Sequence, residues 1–184
     1  MLPSRACALA ISQAMEAAMR RCDAMIVHLT PFRSVSADVG AAYEMGFMRA
    51  LGRPIFGYTH DARPYRARVA TSCGGVLRLR PSGEAEDADG MAVEDFQEHD
   101  NLMLAGGIVA SGGCLITAAA PRSDRYTALT AFSRCVAHAA ARLASPANAC
   151  VGALWIVRPD GGRRTATEMA GAVATRTQRG RGPF

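Results

Sequence analysis

No lysine occurs anywhere in the chain, and all 21 basic residues are arginine. A Schiff base and a phosphate-loop lysine are thereby excluded. No run of about 18 uncharged apolar residues is present, which argues against a membrane span. The six cysteines are scattered and form neither a zinc spacing nor a compact disulfide framework. Reduced thiols of a cytoplasmic protein are the expectation. His28, His60, His99 and His138 share no metal-ligand spacing, so core or surface roles are expected for them. Ser34 and Ser36 have no His–Asp arrangement to make either a nucleophile. There are no internal repeats.

What is present suits one domain, alone or with a tail: 184 residues, 49% of them hydrophobic. The apolar N-terminus reads as an amphipathic helix rather than a signal peptide. Gln13 and Glu16 interrupt its apolar run, and no small-residue cleavage pattern follows. Residues 158–184 hold six arginines against Asp160 and Glu168, a net of +4, while the rest of the chain carries only +1. That is weak support for a nucleic-acid surface, and no specific nucleic-acid partner is expected. Gly- and Arg-rich and without an aromatic until Phe184, this tail is expected to be largely disordered after 158 and dispensable for chemistry.

Along the chain, residues 5–21 read as a helix and "AMIVHL" (24–29) as a buried strand. A Pro- and Ser-containing loop follows, then a helix over 37–51 stopped by Gly52 and Pro54, then the strand "PIFGYT". Short connections between strand, helix and strand point to a parallel sheet covered by helices. "GGVLRL" is a candidate third strand and "PSGEAEDADG" an exposed loop. "NLML" opens a helix, "GGCLIT" is strand-like, and a helix of about five turns runs from Asp124. A last strand-like run surrounds Trp155.

In a sheet of this kind ligands bind beyond the carboxyl ends of the strands, beside helix N-termini. Asp38 lies at that rim, where a carboxylate also serves as a helix cap. Gly40 permits close approach of a ligand or of facing backbone. Glu44 follows about one and a half turns later, among Tyr43, Met45 and Phe47. A surface glutamate and a pocket carboxylate fit that spacing equally. Two carboxylates beside a sugar's anomeric carbon would serve glycosyl transfer. Tyr58 is expected to pack rather than to face a pocket.

The segment "CDAMIVHLTPFRSVSADVGAAYEMGFMRALGRPIFGYT" and the later "VEDFQEHDNLML" resemble the nucleoside 2-deoxyribosyltransferases. That family carries a "TPFRG"-like loop, "ADxGTAxELG", "ALGKPVxGY" and then an "EDF" segment ending in "NLM". The resemblance covers about residues 5–118. It implies a flavodoxin-like parallel sheet flanked by helices and assembly as homo-oligomers with shared active sites. Deoxynucleosides and free nucleobases are the implied substrates, with no metal or other cofactor. It further implies that Glu44 attacks the anomeric carbon to give a covalent deoxyribosyl-enzyme, and that a second base then displaces it. Asp38 corresponds to the aspartate holding substrate beside the nucleophile. Asn101 corresponds to an asparagine that reaches a neighbouring subunit's site, with Met103 beside it.

The sequence departs from that pattern in two places. It starts after the family's usual first strand, and Met15 stands where a base-recognising Asn or Asp is usual. A truncated gene, a degenerate paralogue and a chain that fills the gap with its strand around Trp155 all fit. The expected organisation is a deoxyribosyltransferase-like domain over 1–145 and an extension over 146–184. Transfer of deoxyribose between bases is the expected activity. The alternatives are hydrolysis of deoxynucleosides or deoxynucleotides and an impaired assembly subunit.

Overall fold

Residues 24–28 alternate between two apolar faces, as a strand buried on both sides must. Ala24 and Ile26 face one way, Met25 and Val27 the other, and all four are buried. The computed structural model describes residues 4–144, 154–157 and 163–165, and the other expectations for the C-terminal extension lie outside the described residues. In chain order the elements are α1 (Arg5–Arg20), β1 (Ala24–His28), α2 (Val39–Ala50), β2 (Ile55–Thr59) and α3 (Tyr65–Ser72). Then come β3 (Arg78–Leu79), β4 (Ala85–Glu86), α4 (Leu102–Ala110), β5 (Leu115–Thr117), α5 (Thr130–Leu143), β6 (Leu154–Val157) and β7 (Arg163–Thr165).

The main sheet runs β5-β2-β1-β6-β7. Every adjacent pair is parallel except β6–β7. One face packs Met25, Val27 and Ile55 under Met19 of α1, Met45 and Met48 of α2 and Ile108 of α4. The other packs Ala24, Ile26, Phe56 and Ile116 against Ala131, Phe132, Cys135 and Ala139 of α5. This is the expected α/β architecture: a parallel sheet between two helical layers.

The strand around Trp155 pairs in parallel with β1, setting Met25 opposite Trp155. That pairing matches the reading in which a C-terminal segment fills the sheet beside β1. Residues 163–165 form β7, which pairs antiparallel with β6. The chain moves from β1 outward through β2 to β5 and then returns to the other flank of β1. The strand order therefore reverses between β1 and β6, the kind of place at whose carboxyl ends such sheets bind ligands.

Two expectations need correction, and one helix lacks any signal in the sequence. "GGVLRL" does not join the main sheet, and only Arg78–Leu79 form a strand, paired antiparallel with Ala85–Glu86. Val76 and Leu79 are largely exposed, so the run lacks the two covered faces of a central strand. The helix α3 was not anticipated, since Arg68 and Val69 are its only buried residues and no apolar stripe announces it. The last long helix begins at Thr130, not near Asp124. Residues 122–127 form turns tied to distant loops: the Tyr126 hydroxyl donates to the Pro31 carbonyl at 2.5 Å, and the Arg125 carbonyl takes a bond from His60 Nδ1 at 2.9 Å.

Gly113 sits where α4 hands over to β5. A Cβ there would lie 1.7 Å from the backbone oxygen of Ile55. Backbone cannot give way as a side-chain tip does, so Gly113→Ala is expected to destabilise the fold by about 1–3 kcal/mol or more. A urea midpoint indistinguishable from that of the parent protein would contradict this packing.

Candidate active site

Loop 29–38 leaves the carboxyl end of β1 and delivers Asp38 to the start of α2. The Asp38 carboxylate accepts bonds from Gly40 N at 3.0 Å and Ala41 N at 3.3 Å, and so caps the helix. Gly40 makes the arrangement possible, because a Cβ there would meet that same carboxylate at 2.8 Å. Glu44 projects from the next turn into a cavity of about 590 Å³ shared with Asp38 and Gly40. Burial first, and the charge of Asp38 second, raise the Glu44 carboxyl above the ordinary glutamate value. The two carboxylates are thus gathered in one cavity beside β1 and the loop that leaves it.

The setting of Glu44 differs in one respect from that expected. Tyr43 is exposed and its hydroxyl donates to Glu16 Oε1 at 2.5 Å, whereas Met45 is buried in the core. Residues adjacent in a helix point to different faces, so neither encloses Glu44. The enclosure comes instead from Met15 of α1, His28 and Thr30 at the end of β1, Phe32 and Arg33 of the loop, and Tyr126. His28 and Thr30 were open to discovery from their place at a strand's carboxyl end. Tyr126 was not, since its position depends on a tether to Pro31. Arg33 takes a left-handed backbone (φ 57°) and lays its guanidinium over the Phe32 ring at 4.8 Å.

Asn101 and Met103 are not brought to Glu44 within one chain. They line a separate, mainly apolar cavity of about 650 Å³ between α2 and α4, together with Val39, Met45 and Arg49. Asn101 caps α4: its Oδ1 accepts from Met103 N at 3.0 Å and its Nδ2 donates to Glu94 Oε1 at 2.6 Å. Met103 is 72% exposed. Ser34 and Ser36 bond within their own loop. Tyr58 packs as expected, stacked on His28 and edge-on to Phe132. Among the described residues, no three His, Cys, Asp or Glu side chains are grouped to hold a metal.

The model of the nucleoside 2-deoxyribosyltransferase family matches residues 1–103, more than half of the chain and all of β1, α2 and the Asp38–Glu44 segment. This chain belongs to the nucleoside 2-deoxyribosyltransferase family. An uncharacterized protein of Schizosaccharomyces pombe is 38% identical over 122 residues, 61% of this chain and 58% of that protein. A solved 2-desoxiribosyltransferase from Leishmania mexicana is 36% identical, with a TM-score of 0.42, over 53% of this chain and 55% of that one. This deoxyribosyltransferase homologue therefore spans a little over half the length of each. No helix among its described residues is long and apolar enough to cross a membrane.

Proposed function

We propose that this protein transfers 2-deoxyribose between nucleobases, with Glu44 as the nucleophile. The observation that carries the reading is the pairing of Glu44 with Asp38 in one cavity beside β1. A Glu44 oxygen attacks the anomeric carbon, and the bond from that carbon to the base nitrogen breaks. The base departs with the electron pair and takes up a proton. A second base attacks the same carbon through a ring nitrogen, gives up that nitrogen's proton and releases Glu44 as a carboxylate, so two inversions give net retention. A carboxyl group of raised pKa is the better nucleophile once ionised, because its oxygen is more basic. Asp38 and Gly40 position the sugar beside it. In the same reading residues 1–145 form the working domain, and Asn101 and Met103 serve a neighbouring copy's site. The setting is salvage of nucleosides in the cytoplasm.

Incubation with deoxyinosine and free adenine is the direct test. Deoxyadenosine is the expected product. Free deoxyribose without base exchange would make the protein a hydrolase, and no reaction at all in any oligomeric fraction would overturn the proposal.

A further inference from the structure

His28 stands on the wall of the Glu44 cavity with one ring nitrogen already committed. Its Nε2 lies 2.5 Å from the Thr30 hydroxyl oxygen. That oxygen already accepts the backbone N–H of His60 at 2.9 Å. Thr30 is 2% exposed, and among the described residues its hydroxyl proton has no acceptor other than His28 Nε2. A buried hydroxyl that can donate does so. Nε2 is therefore the acceptor, and the ring proton resides on Nδ1. Burial, and then the neighbouring His60, push His28 down to about 4, so the ring is neutral near pH 7. Nδ1 finds no partner among the described residues and is not one of the side-chain nitrogens sealed from solvent.

The ring cannot easily turn away. It stacks on Tyr58 at 4.5 Å between centroids, within 7° of parallel, and meets Tyr126 edge-on at 6.0 Å. Tyr126 lies edge-on to both His28 and Phe32, so the cavity around His28 is aromatic, whereas Asp38 and Glu44 supply its anionic groups. A flat, polar-edged ring suits the first and a sugar the second.

We propose that His28 is a specificity-determining residue whose Nδ1–H donates a hydrogen bond to an acceptor atom, a ring nitrogen or a carbonyl oxygen, of the substrate's nucleobase. The inference rests on the deoxyribosyl-transfer reading of the same cavity. Thr30 acts as a positioning residue, holding the tautomer that keeps a donor, not an acceptor, turned to the base. A neutral donor recognises the uncharged base without favouring a charged group.

The test uses full-length Glu44→Gln protein, so that bound nucleoside is not consumed, with 2′-deoxyadenosine and thymidine as probes. Long-range nitrogen–proton NMR of the histidine rings is expected to show His28 protonated on Nδ1, with that nitrogen's resonance moving on addition of at least one nucleoside. His28→Phe, which keeps a flat ring, is expected to bind that nucleoside about tenfold more weakly. The 1-deaza, 3-deaza and 7-deaza analogues of deoxyadenosine form a cycle with this variant. If deoxyadenosine is the nucleoside bound, one analogue loses affinity when His28 is present and loses none further in the His28→Phe variant. Nucleoside binding with an unmoved Nδ1 resonance, or with equal affinity in the variant, would overturn the role of His28 alone. No binding of either probe would overturn it together with the transfer reading.

Discussion

Glu44→Gln lowers the rate of base exchange by at least about a thousandfold, the loss expected when a covalent nucleophile is removed. The same substitution raises thermal stability at neutral pH. The sign follows from the direction of the carboxyl's shift. Burial and Asp38 raise Glu44 in the folded chain, so folding favours its protonated form. The stability this contributes is fully present below the unfolded glutamate value and is lost as pH rises through the folded one. At neutral pH the ionised carboxylate is thus a liability that glutamine removes, while near pH 4 the two proteins melt alike. The raised carboxyl also sets the acid limb of kcat/KM, which falls away at a pH above the ordinary glutamate value. Melting curves at the two pH values and a pH–rate profile check all three. A glutamine variant that is inactive and also less stable at neutral pH would mark Glu44 as structural.

Asp100→Ala destabilises the protein by about 3–5 kcal/mol, through the charge it leaves behind. Asp100 and Arg68 are 4% and 3% exposed, with Arg68 Nη2 3.1 Å from Asp100 Oδ2. The same Oδ2 accepts Ala37 N at 2.9 Å, and Oδ1 accepts Asn101 N at 2.8 Å. Arg68 donates further to the carbonyls of Val35 and Arg63 at 2.8 and 3.0 Å. One ion pair thus fastens the loop ahead of Asp38 to α3 and to the start of α4. Removing the carboxylate strands a buried guanidinium. Removing both charges, as in Arg68→Met with Asp100→Leu, restores a large part of the loss, because a buried pair is replaceable by apolar volume. Chemical denaturation of the single and double variants measures the coupling, and a single variant as stable as the double would contradict it.

These two sites differ in how far they can be seen from the chain alone. Asp38 and Glu44 lie on one helix, so their spacing and the cap announce them. Arg68 and Asp100 meet from elements that no local pattern connects, and α3 shows no apolar stripe to flag Arg68 as buried. The strands β1 and β2 are legible because both faces are covered and their runs are short and apolar. His28, Met15 and Tyr126 come to line one cavity only when α1, β1 and the loop before α5 converge. Hence the aromatic side of the cavity is the part that sequence patterns left unread. Asn101 was legible as the opening of a helix, yet its side chain caps its own helix and lines a different cavity from Glu44.

The return of the chain to the free flank of β1 also governs the order in which the molecule assembles. Met25 meets Ile55 across a short loop of sequence, but meets Trp155 only after most of the chain has been traversed. Closing so long a loop is slow, since its entropy is lost before any contact repays it. During refolding β1 and β2 are expected to pair before β6 docks on β1, an order that pulse-labelled hydrogen exchange of the strand amides would read. Glu44 is held by the early half, whereas the flank of β1 beside it is covered by the late one.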